Sequence, residues 1–535
     1  MIKREERRML NWDFPYQSQR MPMMAKNVVA TSQPLAAQAG IRMLLKGGNA
    51  VDAALATAIT LTVVEPTSNG IGSDGFAIIW DGKGLHGING SGRSPRSWSH
   101  ERFLGQETMT KFGWDSVTVP GAVSVWVELS KRYGRLPFGD LFEPAISYAG
   151  DGYPVSPITA RRWAVTPELY KDFPDFHQTF LPDGRAPVAG EWFRCKDQAD
   201  TLGAIAASKG ESFYRGALAE TMAASAERDG GAMTVDDLAN HRADWVELVS
   251  QDYRGYTLHE IPPNGQGIAS LIALGILGHF DLASYPVDSV DSMHLQIEAM
   301  KMGLADIKQH LADPDQMKID PLDLLDSDYL ASRARNIDMK KAQFPDTGIP
   351  TDKGTVYLST ADSDGMMVSF IQSNFMGFGS GVVVPGTGIS LQNRGFGFTL
   401  EKGHPNQVDG NKRPYQTIIP GFVTKDGNPV MSFGVMGGHM QAQGHVQMMV
   451  RMFDYNQNPQ TASDAPRWHL MQNDQRVAFE PGYSEKLLQG LSDRGHTITL
   501  DEPDSLFGGA QLIYRMNDYY VSGSDHRKDG CAIGF

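Results

Sequence analysis

The feature that most narrows what this chain can fold into is an abrupt change of character at residue 355. From Asp313 to Gly354 the sequence is polar and Pro-containing (DPDQMKIDPLDLL, FPDTGIPTDKG), and β character then resumes at once in TVYLSTAD. Two alternating runs, Thr355 to Asp362 and Met366 to Ser373, are separated by Ser363, Asp364 and Gly365. Turn residues between β-branched and apolar runs read as a hairpin, so a hairpin is expected to start at Thr355. Further strands are expected at IIPGFVT, PVMSFGV, QLIYRMN and YYVSGS, with a helix from His439 to Tyr455. Upstream, residues 27 to 64 read as a strand followed by two Ala-rich helices broken at Gly47-Gly48, then FAIIW and GLHGI as a hairpin. From Pro120 to about Leu311 helical patterns dominate, interrupted by turns such as PPNGQG at 262 to 267.

With 535 residues, 41% hydrophobic and 21% charged, the chain can bury a large core and does not read as disordered or fibrous. The 48 Lys+Arg against 62 Asp+Glu give a net charge of -14, without a basic block, which speaks against nucleic acid as a partner. Cys195 and Cys531 are too few for a disulfide framework or a CxxC site. The charged start MIKREERRMLNWDFPYQ lacks an apolar core of the secretory kind, and the most apolar window, Ala53 to Val64, is too short to span a bilayer. A cytoplasmic protein that binds no membrane is expected.

Several motifs carry little chemistry. Gly70-Ile71-Gly72-Ser73-Asp74-Gly75 matches GxGxxG, but dinucleotide sites need a strand before it and a helix after it, and here the order is reversed. It reads as a tight helix-to-strand loop. His439 and His445 are six apart, not the four that align ligands on a helix face, so no metal is expected. P-loop, GxSxG and HExxH motifs do not occur. Thr355 after Gly354 is by itself an ordinary strand start. Its company is less ordinary: in FGVMGGH, Gly437-Gly438 closes a strand and opens a helix, an arrangement whose free NH groups and dipole can hold an oxyanion.

Over nearly its whole length the chain resembles the gamma-glutamyltransferases. Lys46 to Ala54 (KGGNAVDAA), Val64-Glu65-Pro66 with Ser68 to Gly72, Val119-Pro120-Gly121, Tyr133-Gly134, Phe213 to Gly216, Asp237-Leu238, Tyr253 to Tyr256 and Glu298-Ala299-Met300-Lys301 are similar to family landmarks in the family's order. Gly379-Ser380-Gly381, Asn411 to Pro414, Gly437-Gly438 and Ser524 to Arg527 follow, with His526 where the family usually has Pro. The resemblance implies an α/β (α+β) fold, a four-layer αββα sandwich of the N-terminal-nucleophile hydrolase type. It also implies two subunits from one chain, 1–354 and 355–535, held together as a heterodimer after autocleavage between Gly354 and Thr355, with no cofactor. In that scheme Thr355 is the nucleophile and its freed amine, of pKa near 8, the general base. Gly437 and Gly438 form the oxyanion hole, and Ser373, eighteen residues after Thr355, is a supporting hydroxyl.

The acyl pocket departs from the family pattern. Ser91 stands where the family's arginine would be, with Arg93 two residues on, and Gln416-Thr417 replace a serine pair. Counting from Thr355, the positions that accept a glutamyl α-amine hold Phe375, Arg394 and Gly397, none of which can do so through its side chain. An acyl group with a carboxylate but no amine is therefore expected, as for the family's oxamate amidohydrolases and cephalosporin acylases. The expected activity is hydrolysis of a small gamma-glutamyl or related acidic amide, favoured over transfer because no acceptor-site signature is found. A non-catalytic carboxylate-binding or scaffold relative is the alternative from another class, and the retention of Thr355 argues against it.

Overall fold

A computed structural model of the chain describes residues 12, 19–344, 355–471 and 476–535; Gly354, the expected processing residue, lies outside them. Upstream of the expected cut are the strands Met23–Ala25 (β1), Val28–Thr31 (β2), Asp74–Trp80 (β3), Leu85–Asn89 (β4), Asp244–Val246 (β5), Val249–Tyr253 (β6) and Tyr256–Glu260 (β7). Downstream are Val356–Ala361 (β8), Met367–Ser373 (β9), Gly421–Lys425 (β10), Asn428–Met436 (β11), Gly509–Arg515 (β12), Tyr520–Ser524 (β13) and Cys531–Gly534 (β14). They form two seven-stranded sheets, ordered β1-β13-β12-β11-β10-β7-β6 and β14-β2-β8-β9-β3-β4-β5. Each sheet mixes strands from both sides of residue 354, and the hairpin β8–β9 sits between β2 and β3.

Three apolar cores separate the layers. Phe76, Ile78, Tyr357, Ile371, Phe422, Met436 and Ile513 fill the space between the two sheets. Val356, Leu358, Val368 and Phe370, on the opposite face of the hairpin, pack under the helices Pro34–Leu45 (α1), Ala50–Val64 (α2) and Ala122–Tyr133 (α3). The other sheet is covered by Gly267–Leu277 (α4), Val290–His310 (α5) and Met440–Phe453 (α6). The period-2 pattern of a strand buried on both faces thus closes an αββα sandwich.

The KGGNAVDAA motif earns its composition locally. The Asn49 side chain accepts from the Asp52 amide at 3.0 Å and Asp52 returns the bond to the Asn49 amide at 3.0 Å, a capping box that starts α2. Every residue of α2 is buried, which explains its small Ala, Thr and Val side chains. The expected helix at His439 to Tyr455 is found as α6, and the Gly70 to Gly75 loop joins α2 to β3 as read. The stretch from Pro120 to Leu311 differs from expectation: besides helices it contributes β5, β6 and β7. These are short, polar strands at the ends of their sheets, where only one face or edge needs apolar residues.

Candidate active site

Thr355 immediately precedes β8 and is buried, with 2% of its surface exposed. The register of the hairpin explains why Ser373 stands beside it. Val356 pairs with Gln372, so the next antiparallel position outward sets Thr355 opposite Ser373. Their hydroxyls lie 3.1 Å apart. Side chains at 355, 357, 371 and 373 share one face of the hairpin, and Tyr357 and Ile371 place that face against the other sheet. An eighteen-residue spacing thereby becomes a pair of facing hydroxyls.

The other sheet brings its own contribution to the same end of the sandwich. β11 closes at Met436, and Gly437 and Gly438 turn the chain into α6 with φ of +124° and +58°. Only glycine takes such angles without strain. Among the described residues neither of the two amides donates to a backbone carbonyl, so both are available at a helix N-terminus. Gln441, in the first turn of α6, donates from Nε2 to Thr355 Oγ1 at 3.2 Å and accepts from the Ile419 amide at 3.0 Å. This side chain ties the helix start to the threonine.

Ser373 also leads to the residues expected in the acyl pocket. Its hydroxyl accepts from the Phe375 amide at 2.8 Å. Phe375 has a φ of +74°, a conformation uncommon for an aromatic residue and held here by that bond. Its ring lies under the Arg394 guanidinium, 4.6 Å from the ring centre. Arg394 is fully buried and donates from Nη1 to Thr417 Oγ1 at 2.7 Å. Nearby, Gln416 donates to Asp74 Oδ2 at 2.9 Å, and that oxygen stands 3.8 Å from Arg394 Nε. Burial lowers Arg394 to about 9, opposed by the Asp74 charge, so it is a cation at neutral pH. Burial raises Asp74 to about 6, opposed chiefly by Arg394. Among the described residues Arg394 Nε and Nη2 and Gln416 Oε1 have no hydrogen-bond partner.

The structure therefore joins Thr355, Ser373, Phe375, Arg394 and Thr417 through direct contacts, with Gln416 reaching Arg394 through Asp74 and Gly437 and Gly438 linked to the group by Gln441 and Gln266. Gln266 donates to both the Thr417 carbonyl, at 2.6 Å, and the Gly438 carbonyl, at 2.9 Å. Arg93 is placed differently. It pairs with Asp313 at 2.7 Å and donates to the Asn411 carbonyl, and its side chain is one-third exposed. None of its contacts among the described residues reaches the cluster. Ser91, at the expected arginine position, bonds Asn89 and Asn264 instead. Asn264 and Gln266 belong to the PPNGQG segment, which sequence reading treated as a mere interruption. Asp74 was likewise hidden inside a glycine-rich loop. His439 and His445 take separate partners: His439 meets the Tyr415 hydroxyl at 3.1 Å and His445 meets Glu260 at 2.6 Å.

Two facing sheets covered by helices on both outer sides, with a hydroxyl residue heading an inner strand opposite a glycine turn, have the architecture of the N-terminal-nucleophile hydrolases. More narrowly, the chain belongs to the gamma-glutamyltranspeptidase family, which it matches over residues 36–535. It is 37% identical over 526 residues to the glutathione hydrolase-like YwrD proenzyme of Bacillus subtilis, covering 96% of this chain and 100% of that one. It is 33% identical over 514 residues to the oxamate amidohydrolase proenzyme of Klebsiella pneumoniae, covering 94% and 97%. Among solved structures it is similar to the cephalosporin acylase from Bacillus halodurans, at 48% identity with a TM-score of 0.94, covering 98% of this chain and 99% of the other.

Proposed function

We propose that this chain is an autoprocessing amidohydrolase that cuts itself between Gly354 and Thr355 and then hydrolyses small amides whose acyl group carries a carboxylate. The observation that carries the substrate class is Arg394, a fully buried guanidinium with two nitrogens left without hydrogen-bond acceptors. Leaving those N–H groups without acceptors is costly even with the Asp74 carboxylate 3.8 Å away, and a ligand carboxylate would satisfy them. Phe375 below and Thr417 beside it fix the orientation of the guanidinium. Arg93, already engaged by Asp313, stays outside the acyl pocket in this reading.

In the precursor the Thr355 hydroxyl attacks the Gly354 carbonyl and the acyl group passes from nitrogen to oxygen. Water then cleaves the ester, leaving a carboxylate on Gly354 and a free amine on Thr355. That amine takes the hydroxyl proton when Thr355 attacks a substrate amide. The leaving amine departs with a proton, the acyl group remains on Oγ1, and a second water releases the acid. The Gly437 and Gly438 amides would supply the donors that the oxyanion of each tetrahedral intermediate needs. Gln441 and Ser373 orient the hydroxyl through their bonds to it. Chain segments 1–354 and 355–535 become the two subunits of the processed enzyme, and a cytoplasmic location fits this reading.

A second reading, in which the acyl group also bears an α-ammonium as in a gamma-glutamyl amide, draws on Asp74 and on the unpartnered Gln416 Oε1. Intact-mass and N-terminal sequencing of wild type beside Thr355→Ala tests the processing step. A small subunit starting Thr355-Val356-Tyr357 in wild type alone is expected, and an uncut wild-type chain would overturn the proposal. Turnover of glutaryl, oxamyl and gamma-glutamyl amides by the mature protein then separates the two readings. Efficient cleavage of gamma-glutamyl amides alone would favour the second.

A further inference from the structure

The Glu298-Ala299-Met300-Lys301 landmark has no part in the site described above, yet it forms an unusual cluster. Its helix, α5, places His294, Glu298 and Lys301 on one face through spacings of four and three. Lys301 Nζ donates to Glu298 at 2.7 Å, and each side chain is only 1% exposed. His496, from the segment downstream of Thr355, meets His294 at 2.8 Å. His294, Glu298 and His496 lie close enough to share a metal ion. Their ligand atoms are, however, largely committed: His294 Nε2 to the Asp338 carbonyl at 2.9 Å, Glu298 Oε1 to Lys301, and Glu298 Oε2 to the Gln343 amide at 3.0 Å. Glu298 Oε1, which stands 4.0 Å from His496 Nε2, is already taken by the Lys301 ammonium.

What the cluster does hold is backbone. The buried pair takes both polar groups of Gln343, the amide through Glu298 and the carbonyl through Lys301 at 2.7 Å. The Phe344 ring covers the ammonium, 4.7 Å from its centre, although Phe344 is half exposed. The neighbouring Ala342 amide donates to the Arg494 carbonyl at 2.7 Å. Burial lowers His294 to about 4 and His496 to about 3, so both are neutral and the ion pair stands alone. A buried ion pair gives little net stability over an apolar replacement, and its best-attested use is fixing a register. Here the register fixed is that of residues 338–344, the chain that runs on to the cut ten residues further along.

We propose that the Glu298–Lys301 pair is a positioning anchor for self-cleavage: it fixes the backbone at Gln343 so that the scissile bond before Thr355 is delivered to the Thr355 hydroxyl. This rests on the autoprocessing reading given above. Thr355 is fixed at the head of β8, so anchoring Gln343 leaves eleven residues, 344 to 354, between two fixed points. That lowers the entropy lost in reaching the attack geometry. Hydrolysis by the mature enzyme needs no such delivery and does not depend on the anchor.

The test follows chain scission in freshly purified full-length Lys301→Met, Lys301→Arg and wild type by intact mass, and then turnover per exposed Thr355 N-terminus. Scission of Lys301→Met should slow tenfold or more, Lys301→Arg should recover to within about threefold of wild type, and turnover per mature N-terminus should stay within twofold. Wild-type-like scission in Lys301→Met removes the anchor, as does a loss of turnover equal to the loss of scission. If Lys301→Met does not fold, Gln343→Pro deletes the amide that Glu298 holds and leaves the buried pair itself unchanged, and slowed or unchanged scission decides in the same way. A wild-type chain that never splits overturns the autoprocessing reading and the anchor with it, whereas splitting of every variant at one rate removes the anchor alone.

Discussion

Arg394 carries the sharpest single-residue consequence. Its pKa is lowered by burial to about 9, so the cation is present below that pH and lost as pH rises through it. The Thr355 amine, with an ordinary value near 8, is by then already a free base. For a carboxylate-bearing acyl amide kcat/KM should therefore rise to a plateau and fall again above about pH 9, while a neutral acyl amide shows no alkaline fall. A pH profile of both substrates checks this, and the same flat alkaline limb for both would remove Arg394 from carboxylate binding. Arg394→Met should lower kcat/KM for the charged substrate roughly 10- to 150-fold, from the ~1.5–3 kcal/mol of a charged hydrogen bond. The family resemblance set Ser373 beside Thr355 by residue count, and the hairpin's register explains why that count becomes a position. Asp74, Gln266 and Gln441 gave no such signal, since their partners lie 342, 172 and 86 residues away in the chain.

At the level of elements, the turn between β11 and α6 and the facing of the two sheets both depend on missing side chains. A Cβ on Gly437 would lie 3.0 Å from Gly508 Cα, at a φ of +124°. Gly437→Ala should twist the amides out of line and reduce kcat about 10²- to 10³-fold, the usual loss for one oxyanion donor, with KM nearly unchanged; steady-state kinetics on matured protein measures it. Gly434 is a packing case instead. A Cβ there would meet the Tyr357 ring of the facing hairpin at 2.4 Å. Gly434→Ala should cost about 1–3 kcal/mol by overpacking, read as a lower denaturation midpoint. Sequence periodicity found the hairpin and α6 because both are long and regular. β5 to β7 escaped it because short strands at sheet ends carry too few apolar positions to set a period.

Across the whole molecule, the resemblance to a known family implied the layers, whereas composition and periodicity alone located single elements and the change at residue 355, not their stacking. What no local pattern could reveal is how the strands interleave. β8 and β9 lie inside a sheet whose flanks, β2 and β3, come from the other side of the proposed cut. After scission the two products should therefore co-migrate as one 1:1 species in size-exclusion chromatography. They should part only under denaturant, together with loss of secondary structure. Separation in native buffer would contradict the shared core.

That interleaving also sets a clock. Thr355 meets Ser373 only once β8 and β9 are zipped, and meets Gln441 only once the second sheet has closed over them. An unfinished chain has its amine locked in a peptide bond and its hydroxyl without neighbours, so it is chemically silent. On the proposed chemistry, each reactive threonine is thus a receipt for completed assembly, issued by the molecule to itself, and no separate inspector is required to keep immature copies from acting.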